Sequence, residues 1–138
     1  MSPDFASAVD PIYLHVIDLL DRISRNQCSR PETEREGIEN GLRDAEAQFG
    51  DRKDWQLAKY ALVSWIDEVL KQAPWEGSSW WTENSLEFAH FRTNDAAVEF
   101  YRGAKEAAAL PRRDALEVFY VCVVLGFRGM YKDPTTAE

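Results

Sequence analysis

Apolar positions recur at helical spacing along almost the whole chain. Asp10-Pro11 sets a capping residue before a proline suited to a first turn. Ile12, Val16, Leu19 and Ile23 then follow at steps of four, three and four, predicting a helix that ends near Asn26. Residues 1–10 are expected to be a loose tail. Ser29-Arg30-Pro31 opens a second, very polar helix whose narrow stripe is Ile38, Leu42, Ala45 and Phe49, stopped by Gly50. Gly37 and Gly41 weaken it by roughly 1 kcal/mol each relative to alanine unless they permit close packing.

A third helix is predicted over Asp54–Gln72, with Trp55, Ala58, Leu62, Trp65, Ile66 and Val69 on one face and Tyr60, Val63 and Leu70 on its flanks. A helix apolar around so much of its girth belongs at the centre, with neighbours on several sides. Pro74 ends it, and Trp75-Glu76-Gly77-Ser78-Ser79 reads as a loop. One short helix then carries Trp81, Leu86, Phe88 and Phe91. Asn94-Asp95 caps another, with Val98, Phe100, Tyr101 and Ala104 inward, before Leu110-Pro111.

The stretch from Asp114 to Leu125 is ambiguous, because its valines suit a buried strand and its Asp114 suits a helix start. No second strand candidate exists to satisfy a lone strand's backbone, so a buried helix is predicted. Gly126-Phe127-Arg128-Gly129 reads as a closing turn, and residues 132–138 as a loose polar tail. The pattern is all-α, a single domain of about six or more helices spanning 1–138.

Charge narrows the functions. The 138 residues carry 24 acidic and 16 basic side chains, a net −8, with a pI near 4.8. Such a surface repels phosphate backbones and disfavours nucleic-acid binding. Two cysteines, Cys28 and Cys122, form no framework of disulfides or CxxC zinc spacing, which suits a reduced, cytoplasmic setting. The longest apolar run, Val118–Leu125, is far short of the ~20 residues of a membrane span.

Candidate chemistry is sparse. Asp67 and Glu68 interrupt an apolar helix, but adjacent helical residues point ~100° apart and do not converge on one atom. Asp67 also precedes Lys71 by four residues, the favourable order for a helical ion pair. These carboxylates are expected to brace the central helix, with Glu117 doing the same for the last. His15 and His90 lack ligand-spaced partners, and no nucleophile elbow or phosphate-cradling loop occurs. No catalytic, metal or cofactor site is predicted. A remote alternative is a hydrolase or metal protein using Asp67, Glu68 and His90. Trp75, Trp80 and Trp81, around the glycine-serine loop, either cover the ends of the central helix or form a candidate partner surface.

The ordered set of segments resembles one family. AKYALVSWIDEVLKQAPWEGSSWW, then SLEFAHF, EFY and ALEVFYVCVVLGFRGMY, is similar to the DotU/TssL components of type IV and type VI secretion systems. The matching positions include Ala58, Tyr60, Leu62, Asp67, Glu68, Trp75, Trp80, Leu116, Glu117, Gly126, Phe127, Gly129 and Tyr131. The resemblance implies an all-α cytoplasmic domain of two small helical bundles arranged like a hook. It implies a non-enzymatic structural part of a bacterial secretion membrane complex, type VI foremost, binding an IcmF/TssM-type partner and baseplate proteins and self-associating into dimers. Inner-membrane attachment in that family comes through a C-terminal helix absent from this chain. The segment Asp95–Glu99 also lacks a glycine common there before the aromatic pair. The alternative is a free-standing soluble adaptor of the same fold.

Overall fold

A computed structural model describes residues 1–131, and the polar tail expected at 132–138 lies outside the described residues. Seven α-helices run in the order α1 (Pro3–Ser24), α2 (Pro31–Phe49), α3 (Lys53–Gln72), α4 (Gly77–Glu83), α5 (Leu86–Phe91), α6 (Ala96–Ala108) and α7 (Asp114–Val124), followed by a 3-10 turn at Gly129–Tyr131. Five of these are long; α4 and α5 have seven and six residues. No strand occurs among the described residues.

Helix α3 is the axis of the molecule, packed against α7, α4, α6 and α5, while α1 and α2 pair with each other. Gly37 and Gly41 do permit that pairing. A Cβ at Gly37 would sit 2.6 Å from the His15 ring, and one at Gly41 would sit 3.2 Å from Ile12.

The expected N-terminal tail is instead the first third of α1. Ser2 stands at its N-cap and Pro3 in its first turn. Phe5 and Val9 continue the stripe of Ile12, Val16, Leu19 and Ile23, and both are fully buried. Their burial drives the helix through Pro11, which lies on the exposed side with Ser7, where water can serve the unpaired carbonyl.

Two other expectations fail for local reasons. The short helix after Pro74 is two helices, because the Ser85 side chain accepts from the Phe88 N–H and starts α5 afresh. That break rotates Phe88 to the surface, and Val98 of α6 is also exposed. Helix α7 is a helix, as predicted, but only half of it is buried. Ala115, Val118, Phe119 and Cys122 face the core, whereas Tyr120 is 69% exposed and Val124 62%.

Candidate functional site

Asp67 and Glu68 leave α3 in different directions and hold different parts of the chain. Asp67 is 4% exposed. Its Oδ1 accepts from the Trp81 indole (2.8 Å) and the Leu86 N–H (2.8 Å), and its Oδ2 accepts from the Glu87 N–H (2.9 Å). The carboxylate thus caps the start of α5 from another helix while fixing Trp81 of α4. Burial pushes its carboxyl above the ordinary aspartate range, opposed by those three donors. Turned inward, it forms no ion pair with Lys71, so that expected pair is replaced by the N–H contacts.

Glu68 accepts from the Arg128 N–H (2.7 Å) and the Gly129 N–H (3.0 Å), fastening the chain after α7 to α3. The turn it holds depends on two glycines in the left-handed half of backbone space, Gly126 (φ 119°) and Gly129 (φ 58°). Between them Phe127 is buried and stacks on Phe100 with centroids 3.9 Å apart.

Sequence reasoning missed a third carboxylate, Glu87, which is also 4% exposed. It accepts from the Asp95 N–H (2.9 Å) and Ala96 N–H (3.3 Å), and from the hydroxyls of Tyr60 (2.8 Å) and Thr93 (2.8 Å). Helix α6 is therefore capped by Glu87, whereas Asp95, the expected cap, makes no side-chain cap bond. Burial, and then Glu87 itself, push the Tyr60 phenol up and keep it a donor. The only local hint of Glu87 was its place two residues after Ser85, ahead of the Asn94-Asp95 break.

Two more acidic residues repeat the arrangement, one at each end of α1. Asp114 was read as the cap of its own helix, but its carboxylate accepts from the Ser2 N–H (2.7 Å) and hydroxyl (3.1 Å) and anchors α1. Glu34 takes a two-pronged contact from Arg22 and the Ser29 N–H (2.9 Å). Burial alone would raise the Glu34 carboxyl, but Arg22 and Ser29 outweigh it and hold it low. Glu117 lies at the surface and pairs with the Met1 ammonium at 2.9 Å. The buried carboxylate of α7 is Asp114 instead.

The tryptophans divide. Trp75 and Trp81 belong to the core, so they present no face to a partner, and Trp80 alone is partly exposed. Gly77 makes this possible, since a Cβ there would lie 2.6 Å from the Trp75 ring. Arg35 of α2 stacks over Trp81 and Trp80, at 5.0 and 5.7 Å, and donates to the carbonyl of Asn84.

Asp67, Glu68 and Glu87 border one cleft of about 240 Å³, together with Lys71, Ala97 and Phe127. Their oxygens are engaged by N–H and O–H donors that belong to the fold. His90 is held elsewhere, 2.6 Å from Glu39, and so is not brought to Asp67 and Glu68. Burial pushes the Cys122 thiol up, away from a reactive thiolate. Among the described residues no group of His, Cys, Asp and Glu is arranged to hold a metal, and no helix is long and apolar enough to cross a membrane.

A family model described as type VI secretion system protein DotU matches residues 4–138. The chain belongs to the DotU family. The solved cytoplasmic domain of TssL from Acinetobacter baumannii is similar over 95% of this chain and 86% of that one, with 27% identity and a TM-score of 0.76. No individually curated protein matches. This DotU-family chain is thus, by kinship, a structural component of a type VI secretion system. The cleft's three carboxylates accept from the N–H groups at the starts of α5, α6 and the turn after α7.

Proposed function

We propose that residues 1–138 act as one cytoplasmic, non-enzymatic scaffold domain in the membrane complex of a type VI secretion system. Its partners are an IcmF/TssM-type protein and components of the baseplate, and it self-associates into a dimer. It works at the cytoplasmic side of the bacterial inner membrane. Its helices group into the two small bundles of a hook.

The observation that carries this reading is the match to the DotU family and to the TssL domain along nearly the whole chain. The chemistry supports it. The acidic residues that interrupt the apolar helices cap neighbouring helix starts and so leave no acid–base pair facing a substrate.

Co-expression with the IcmF/TssM-type protein encoded in the same genome tests the role. A complex that survives purification and size-exclusion chromatography is expected. Separate elution of the two folded proteins, across low and moderate salt, would remove that partner from the proposal.

A further inference from the structure

Helix α7 is the element whose composition and position disagree most. Its outward side is nearly all apolar, and beside it a groove of about 450 Å³ runs between α6 and α7. Tyr101, Ala104, Leu116, Phe119, Tyr120 and Val123 line it, with the charged side chains of Arg113 and Glu117. The Tyr120 ring, 69% exposed, continues the apolar surface outward to Val124 and has no counterpart in the fold. Exposed apolar surface of this kind marks contact sites, and tyrosine and arginine are the residues enriched in them.

Charge identifies the kind of partner. Six of the eleven arginines are ion-paired, and among the described residues Arg43, Arg92, Arg112, Arg113 and Arg128 make no ion pair. The last three of these stand at the two ends of α7. Arg113 lines the groove just before the helix, and Arg128 donates to the Val123 carbonyl just after it. Carboxylates close by in the fold are engaged by other groups, Asp114 by Ser2, Glu117 by the Met1 ammonium and Glu68 by the N–H groups of Arg128 and Gly129. Among the described residues the apolar strip is thus bracketed by arginines without an ion pair over the eleven residues of α7, a span of roughly 16 Å at the helical rise.

The geometry points to an amphipathic helix of a partner protein, with apolar anchors filling the α6–α7 groove and carboxylates beyond both ends meeting Arg113 and Arg128. A second copy of this chain fits worse, because pairing α7 antiparallel with itself sets the arginines of one copy against those of the other. A flat bilayer leaves the floor of the groove empty. The inference deepens the docking role proposed above by naming the chemistry of one partner segment.

Selection of a randomised helical-peptide library against the whole chain tests it. Enriched peptides are expected to carry apolar residues at i, i+4 and i+7 with Asp or Glu beyond both ends. Tyr120→Ser and Arg113→Glu should each weaken the best peptide about tenfold or more in fluorescence anisotropy, as for a hot-spot contact, with melting unchanged. No enrichment, peptides without acidic flanks, or binding indifferent to both variants would overturn the inference. So would Tyr120-dependent flotation with phosphatidylglycerol vesicles, or a Tyr120-dependent dimer in sedimentation equilibrium. Intact co-purification of the IcmF/TssM-type complex with the Tyr120→Ser chain would keep the scaffold role while removing this groove from it.

Discussion

Replacing Asp67 by alanine strips the acceptor from three N–H donors at once. The Trp81 ring and Leu86 are fully buried and Glu87 nearly so, so water cannot serve them without opening the α3–α4–α5 contact. Stranding several buried donors, or breaking a buried charged contact, costs about 3–5 kcal/mol. For a domain of this size that corresponds to a fall in melting temperature of about 10–20 °C. Asp67→Asn is the discriminating variant. An asparagine oxygen in the Oδ1 place keeps the Trp81 and Leu86 bonds, while its NH2 faces the Glu87 N–H, donor against donor. One failed contact costs about 1–3 kcal/mol, and the neutral side chain escapes the burial cost of a carboxylate. Thermal unfolding followed by circular dichroism should therefore rank wild type above Asp67→Asn above Asp67→Ala. Glu117→Ala, which removes a surface pair, is the control and should melt with the wild type. An Asp67→Ala protein melting within the error of the wild type, or an asparagine variant worse than alanine, would refute the capping account.

Three further perturbations test separate parts of the structure. Phe5→Ala should destabilise by about 3–5 kcal/mol in urea unfolding, because Phe5 is a fully buried ring packed on Phe49 and Trp55, whereas a loose tail would show no change. Gly77→Ala drives a methyl into the Trp75 ring and should cost about 1–3 kcal/mol, with tryptophan emission shifting to the red as the ring is displaced. Glu34, held below the usual glutamate range, contributes stability that is present above about pH 4.3 and is lost as pH falls through its lower folded value. Asp67, raised by burial, works with the opposite sign, so Glu34→Gln should flatten the acid side of the melting-temperature profile, and an unchanged acid side would reject the Arg22–Glu34 contact.

The periodic parts of this fold were legible in the chain because burial is written in spacing. The stripes of α2 and α3 needed only steps of three and four, whereas the glycines of α2 read equally as weak points or as a close approach. Phe5 and Val9 continue the same spacing, but Pro11 looked like a beginning and hid them. The acidic struts were half legible. An Asp-Glu pair within an apolar helix had to be tied down by something, yet the partners of Asp67 lie 14 to 20 residues away and those of Glu68 60 to 61 away. Such separations leave no local pattern, and the same holds for Glu87 and Asp114. The tryptophans left two readings open for a related reason. Composition alone does not say that Gly77 leaves room for the Trp75 ring, or that Trp75 and Trp81 are both buried.

Site-resolved amide hydrogen exchange reads the capping carboxylates most directly. In the wild-type chain the N–H groups of Leu86, Glu87, Asp95, Ala96, Arg128 and Gly129 should exchange slowly although they stand at helix or turn starts, where such groups usually lack partners. Glu68→Ala should release Arg128 and Gly129 alone, and Asp67→Asn should release Glu87 while sparing those two. Rapid exchange at all six in the wild type, or release at both ends by either variant, would contradict the claim that each carboxylate fastens one part of the fold to α3 or its neighbours.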